Sequence, residues 1–467
     1  MNKAAGFDCL TVEHIIFAHE SVVIVLRTLF NIMLHTGLVP DSFGIGKTTP
    51  VPKFKGCKRS VSADDFRGIT ICPVISKLFE HCIKKFIDVP TSVRQFGFKK
   101  NVGCENALHS LRKVVNYFNN RKSTINAGVI DLRKAFDKCN TFGILHMLQR
   151  KNINSCIINT LENWFSKSST AVNWFGSMSQ YVPLLSGVKQ GGVLSPLLFT
   201  IFVDTVLDKL ELTNRGCFVN FRCYNSFMYA DDLILLSISV TDLQYLFKVC
   251  SDMFTELDLP INVSKCHCMR IGPRFNICCK PLKIQGNDVN WVNNINYLGV
   301  TIVSAKSFKC QWNESRARFY TSVNTILGRL SCNASIDVLL KLIRSQAVPS
   351  LLYGISAVTL SNTEIHSFTN AYNNIFYKIF RSFDKNTVSY CQWYCGFWPF
   401  ELLYDYHRYN FLNRLVVNKL LTCTSAIDNP DYIEYSKIQN KYDIQDSDSI
   451  GKIRYNIWKH FENMLPW

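Results

Sequence analysis

Apolar positions along the chain switch between helical and extended spacing for about the first 300 residues and then settle into helical spacing. Thr11 to His35 reads as one amphipathic helix, closed by Gly37 and Pro40. Thr49 to Lys55 and Phe66 to Cys72 read as short strands in a basic region. Pro73 breaks the chain before a helix from Val74 to Ile87, and Gln95 to Gly103 is a basic, glycine-containing loop. Gly128 to Asp131 is a strand, Phe142 to Lys151 a helix, and Ala171 to Leu185 is β-rich. Pro196 to Leu210 is a helix anchored by Leu198, Ile201, Phe202 and Val206, with Ser195 as its N-cap. Phe227-Met228 and Leu233 to Leu236 flank Tyr229-Ala230-Asp231-Asp232 as a strand, tight turn and strand. Asp242 to Glu256 is a helix and Tyr297 to Val303 a strand. Beyond Ser304 helices dominate, Asp337 to Ser345 and Phe411 to Leu421 being the clearest. The fold class is therefore α+β, with a mostly helical C-terminal region.

Length and charge narrow the function. The 467 residues, 47% of them apolar, suffice for several units around a large core. The net charge of +17 favours a polyanionic partner, nucleic acid first. The 19 cysteines lack the paired spacing of zinc ligands, and no apolar leader precedes them, so reduced thiols inside a cell, in nucleus or cytoplasm, are expected. No stretch is long and apolar enough to span a bilayer; Ser21 to Phe30 is too short and contains Arg27.

The chemistry concentrates in three segments. Asp231 and Asp232 place two adjacent carboxylates at a rigid hairpin tip in apolar surroundings, which is costly without a cation between them. Asp131 ends an apolar strand, where it is either a further carboxylate for the same cation or a helix N-cap. Hard carboxylate oxygens suit Mg²⁺, and two ions bridged by such groups clamp the attacking and leaving oxygens of phosphoryl transfer. Ser186 to Pro196 carries three glycines before its helix; it is either a plain loop or a cradle for a base pair or phosphates.

These segments resemble reverse transcriptases, most of all those of non-LTR (LINE-type) retrotransposons. The resemblance rests on Asp131 to Asp137 (DLRKAFD), Ser186 to Pro196 (SGVKQGGVLSP) and Tyr229 to Asp232 (YADD), in that order. Further matches are Lys3 to Asp8, Gly37 to Pro40, Thr49 to Lys53, Phe66 to Ile69, Gln95 to Lys99, Ile261 to Lys265, Tyr297 to Val300 and Pro349 to Gly354. The likeness runs from residue 3 to about residue 360.

The resemblance implies a right-hand polymerase: fingers with a helical lead-in over 1–125, palm over 126–303 with a fingers contribution near 152–195, and a helical thumb and extension over 304–467. It implies that Asp131, Asp231 and Asp232 bind two Mg²⁺ ions, with Mn²⁺ as substitute, and that Lys265 protonates the leaving pyrophosphate. Lys53 and Arg67 would grip the triphosphate, while Gln190 and Gly191 would line the nucleotide pocket. Phe136 would stand where a ribose 2′-OH would sit, favouring dNTPs and disfavouring an RNA-copying RNA polymerase. For Lys53 and Lys265 a plain surface lysine stays open. The implied partners are an RNA template, a DNA primer and dNTPs, with no membrane; oligomeric state is left open. Lys189 stands where family members carry Pro or Arg, and Gly68 where Pro is usual. No endonuclease and no terminal Cys/His knuckle are visible, so a fragment or degenerate copy is expected. A catalytically inactive nucleic-acid-binding remnant is the competing expectation.

Overall fold

The structure is a computed structural model that describes residues 4–53, 61–330, 334–416 and 430–465. Lys3, residues 54–55 and residues 417–421, which belong to segments assigned above, lie outside the described residues.

A four-stranded antiparallel sheet forms the centre. Its spatial order is His267–Ile271, Ile125–Ile130, Asp232–Ser237, Ser226–Tyr229. Leu233 and Leu235 point into one core with Phe247 and Leu207; Ile234 and Leu236 point into another with Leu108, Leu111 and Val115. An apolar run on a two-sided strand follows from burial on both faces. The first core is supplied by helices Ser195–Leu212 and Val240–Glu256, the second by helix Cys104–Asn120. Gly128 is required at this packing, because a Cβ there would stand 2.4 Å from the Phe247 ring.

A second sheet lies upstream. Phe66–Ile71 pairs antiparallel with Ile45–Pro52, which pairs parallel with Ser169–Trp174. The strand expected over Thr49 to Lys55 thus begins four residues earlier, at Ile45. Helices Thr141–Arg150 and Ser155–Ser166 connect the two regions.

Two expectations are corrected here. Thr11 to His35 is two helices, Val12–Ile16 and Ser21–Thr36, because the His19 ring accepts from the Ser21 amide and starts a new helix. Gly37 does close it, with φ of +71°. Tyr297 to Val303 is a hairpin rather than one strand: Leu298 and Gly299 both take positive φ, the geometry of a tight two-residue turn, between Asn294–Tyr297 and Val300–Val303.

Downstream, the described residues are mainly helical. Asn313–Leu330, the run Ile336–Leu352 and Asn362–Phe380 lead into Phe400–Val416, Pro430–Tyr442 and Ile450–Met464. Helix Cys104–Asn120 is tied to this region by buried charges. His109 Nε2 lies 3.0 Å from Asp431 Oδ2, and the fully buried Arg408 holds Glu434 with two bonds of 2.6 and 2.9 Å. Burial pushes His109 down to about 4. Burial opposes the Asp431 charge, but His109 and Lys113 outweigh it and hold that carboxyl well below its usual range. Among the described residues no helix is long and apolar enough to cross a membrane, and the cysteines are free thiols.

Candidate active site

The hairpin tip is Ala230-Asp231, with Asp232 opposite Tyr229. Ala230 adopts φ of +56°, a conformation a side chain disfavours. Its neighbour Gln95 holds it there. The fully buried Gln95 Oε1 accepts from the Ala230 amide at 3.0 Å and the Gly97 amide at 2.9 Å. Phe96 donates its amide to the Met228 carbonyl at 2.8 Å, and Met228 donates to Arg94 at 2.9 Å. Gly97 permits the contact: a Cβ there would stand 2.4 Å from the Ala230 nitrogen. The loop Gln95 to Gly103 is therefore a brace for the acidic turn, a role the sequence reading did not give it. The signal was an amide side chain directly before Phe96-Gly97, in a segment read as a basic, glycine-containing loop.

Asp131 follows the central strand directly. Leu233 pairs with Ile130, so the antiparallel register continued by one residue sets Asp131 across from Asp232. The separation of 100 positions between Asp131 and Asp231 is thus closed by strand pairing. The Asp131 carbonyl accepts from the Asn262 amide at 2.8 Å, and Leu132 bridges Ile261. This docks the Ile261 to Lys265 segment and leaves Lys265 Nζ 3.4 Å from Asp131 Oδ2. That same oxygen is buried and accepts no hydrogen bond.

The electrostatics are those of crowded, half-buried acids that Lys265 and Arg67 only partly offset. Burial pushes Asp232 up to about 6, and Asp231 and Asp131 add to the rise. Burial likewise raises Asp231, with Asp131 adding and Arg67 and Lys265 opposing. Among the described residues no three His, Cys, Asp or Glu side chains are drawn into a closed ligand cluster. The acids nonetheless fit a divalent cation on two observations. Their oxygens are hard donors, and Asp131 offers a buried oxygen with no hydrogen-bond donor.

The glycine-rich loop joins two elements. Val188 donates to the Phe136 carbonyl at 2.8 Å and Gly187 to Cys139 at 2.7 Å. On the other side Thr70 donates to the Gln190 carbonyl at 2.7 Å. Gly191 takes φ of +128°, and a Cβ there would stand 2.4 Å from the Thr70 oxygen. Gln190 Nε2 donates to Asp137 Oδ1 at 2.9 Å. Phe136 is half-buried, stacked on Phe199 at 4.4 Å and met edge-on by Phe98 at 5.9 Å. Two ring contacts fix its plane.

Ser195 is not the N-cap of the following helix. The helix begins at Ser195 itself, and the cap position falls on Leu194, whose side chain offers no acceptor. Glu80, from helix Val74–Lys84, supplies the acceptor instead: its Oε2 takes the amides of Val193 and of Leu194, the latter at 2.8 Å. A carboxylate at a helix N-terminus suits the dipole. Burial raises the Glu80 carboxyl, and the two amides oppose that rise. Lys189 is also accounted for: its ammonium donates to the Gly44 carbonyl from a half-buried position, tethering the loop.

Arg67 and Lys53 lie at the edge. Arg67 is exposed, opposite Val51 across the two strands, and its charge acts on Asp231. Lys53 Nζ donates to the Asp64 carbonyl at 2.8 Å, so its polar contacts among the described residues are with that turn rather than with the acids. The Asp64 carboxylate in turn pairs with Lys134 at 2.5 Å and Arg133 at 3.5 Å.

Residues 51–302 match the family described as reverse transcriptase (RNA-dependent DNA polymerase). The Pol polyprotein of the type-2 retrotransposable element R2DM of Drosophila melanogaster is 26% identical over 70% of this chain and 29% of its own length. The R2 polyprotein of Popillia japonica is 25% identical, covering 76% of this chain and 49% of its own. The RNA-directed DNA polymerase from mobile element jockey of Drosophila melanogaster is 23% identical, with coverages of 76% and 39%. The chain spans less than half the length of these relatives. Among solved structures, apo telomerase from Candida tropicalis superposes with a TM-score of 0.42 at 14% identity, over 94% of this chain and 74% of that one.

Proposed function

The chain belongs to the reverse transcriptase family, and from that premise we propose that it is a LINE-type RNA-directed DNA polymerase that extends a DNA primer on an RNA template. The observation that carries the reading is the strand register that sets Asp131 across from the Asp231-Asp232 tip inside the family match. We assign residues 1–125 to fingers, 126–303 to palm and 304–467 to thumb and extension, working on nucleic acid in nucleus or cytoplasm.

Asp131, Asp231 and Asp232 would hold two divalent ions, Mg²⁺ or Mn²⁺ in its place. Such ions, when bound, stabilise the charge that develops on attacking and leaving oxygens. The remaining work belongs to the chain's own groups. Asp231 and Asp232 are fixed by a turn that Gln95 braces, so the carboxylates need no reorganisation during reaction. Lys265, whose Nζ lies 3.4 Å from Asp131 Oδ2, would protonate the departing pyrophosphate. Arg67 meets the triphosphate with its planar fork, and Lys53 adds charge at the same edge. Gln190 and Gly191 form the wall of the nucleotide pocket, tied to strand Phe66–Ile71 by the Gln190 carbonyl. Phe136, held between Phe98 and Phe199, would exclude a ribose 2′-hydroxyl; the two ring contacts that fix its plane support this role. Template choice comes from base pairing, so the basic surface need only follow phosphates.

Primer extension on an RNA template with dNTPs and Mg²⁺ tests the proposal. Templated products from the parent and none from Asp232→Ala support it. A folded parent that binds primer–template without extending it would mark an inactive remnant instead.

A further inference from the structure

The helical region beyond the family match contains an open cavity of about 920 Å³. It lies between the run Ile336–Leu352 and helices Phe400–Val416 and Ile450–Met464. None of the acidic-site residues lines it. Its walls combine aromatic faces (Trp398, Tyr406, Tyr455, Trp458) with the guanidinium groups of Arg344 and Arg454, and among the described residues no carboxylate lines it.

The cations are positioned rather than loose. Arg344 lies over the Phe397 ring at 4.0 Å and donates to the Gly396 carbonyl at 2.7 Å. Arg454 lies 5.6 Å from the Tyr406 ring centre, and Trp398 meets Tyr406 edge-on at 5.1 Å. Tyr455 is 63% exposed, while Ile453, Ile457 and Phe461 bury the opposite face of the same helix. That ring contributes little to the core, and its helix does not need it there. Flat rings for stacking, cations for phosphate and the absence of repelling carboxylates together match unpaired nucleotides, whose bases stack on aromatic side chains while arginines meet the backbone. A paired duplex keeps its bases stacked internally and gains nothing from such rings.

We propose that this cavity is a second nucleic-acid site, separate from the polymerase groove, that holds a short unpaired stretch of RNA or DNA by stacking on Tyr455, Trp398 and Trp458 with Arg344 and Arg454 at the phosphates. The site retains single strand while the acidic site holds paired primer–template. The stacking site rests on the cavity, and its division of labour with the acidic site rests on the polymerase reading; single-strand binding is read whether or not the acids catalyse extension.

The test uses the full chain saturated with an unlabelled blunt RNA/DNA hybrid, so that the duplex groove is occupied. Fluorescence anisotropy then follows labelled oligouridylate RNA and oligothymidylate DNA. The expected result is that single strand still binds, that Tyr455→Ala weakens it about tenfold, and that Arg454→Ala weakens it while lowering the salt slope by about one. Asp232→Asn binds single strand like the parent, which separates this site from the acidic one. Preference for the RNA oligomer identifies the retained strand as template-like, and equal binding identifies stacking without sugar readout; both support the site. Complete competition by the hybrid, unchanged binding by both cavity variants, or loss in Asp232→Asn would each overturn it. Tyr455 and Arg454 are exposed, and near-ultraviolet circular dichroism of each variant should match the parent.

Discussion

Removing one negative charge from the hairpin tip should stabilise the metal-free protein while abolishing its chemistry. Among the described residues the Asp232 carboxylate has no hydrogen-bond donor, and burial with two neighbouring carboxylates lifts it from 3.8 to about 6. Above about pH 6 the group is ionised in both folded and unfolded chains, and only the folded one bears the cost. Below its ordinary range it is protonated in both, and the cost vanishes. The shift is roughly two units, at about 1.4 kcal/mol each, so about 3 kcal/mol before solvent screening at a partly open tip. Screening brings the expectation to about 1–2 kcal/mol. Asp232→Asn keeps shape and removes charge, so its Tm in EDTA at about pH 8 should exceed the parent's by about 1–2 °C for a chain of 467 residues. The gain should shrink as pH falls through about 6 toward 4. Mg²⁺ should raise the parent's Tm more than the variant's, because a cation relieves the same repulsion. Differential scanning fluorimetry across pH, with and without Mg²⁺, reads all three. An Asn variant no more stable than the parent at high pH, or a gain of equal size near pH 4, would refute the electrostatic account of the tip.

Other outcomes follow from the same geometry. Phe136→Ala should raise incorporation of rNTPs relative to dNTPs by at least tenfold in single-nucleotide extension, since a ring fixed by two neighbours gives way to open space; unchanged sugar selectivity removes the gate. Glu80→Ala should leave the Val193 and Leu194 amides without their acceptor, costing about 1–2 kcal/mol and raising KM for dNTP more than it lowers kcat, while Glu80→Gln restores much of both; equal behaviour of Ala and Gln would show that the cap does not position the loop. Gly97→Ala should force the brace off the Ala230 turn and cut extension at least tenfold while leaving duplex affinity close to wild type; full extension would show that the turn holds itself.

What was legible in the sequence was the part fixed by local rules. The hairpin around Asp231 has apolar flanks and a turn-forming tip, and the strand before Asp131 is an apolar run, so both follow from short-range pattern. The fold places them side by side through a register that no short window contains. Helices Cys104–Asn120 and Ser155–Ser166 went unassigned because both mix polar residues into their apolar stripes: the first buries Asn106, His109 and Ser110, the second Thr160. In the first, His109 faces a charge network with residues over 300 positions away rather than water. Tertiary contact overrides the periodicity there.

The same division explains which candidate residues escaped. Asp131, Asp231 and Asp232 announce themselves, because paired acids in apolar surroundings demand a partner. Gln95, Gly97 and Glu80 do not, since a buried amide, a close-packing glycine and a capping carboxylate look ordinary until their distant acceptors and donors are seen. Ser195 illustrates the error this invites: a good N-cap residue stood at the right place, but a carboxylate 114 residues upstream already served the Leu194 amide. Gln95, Gly97 and Glu80 each brace backbone. Substitutions there should therefore act on precision, through KM and turn geometry, whereas those at the acids act on the reaction itself.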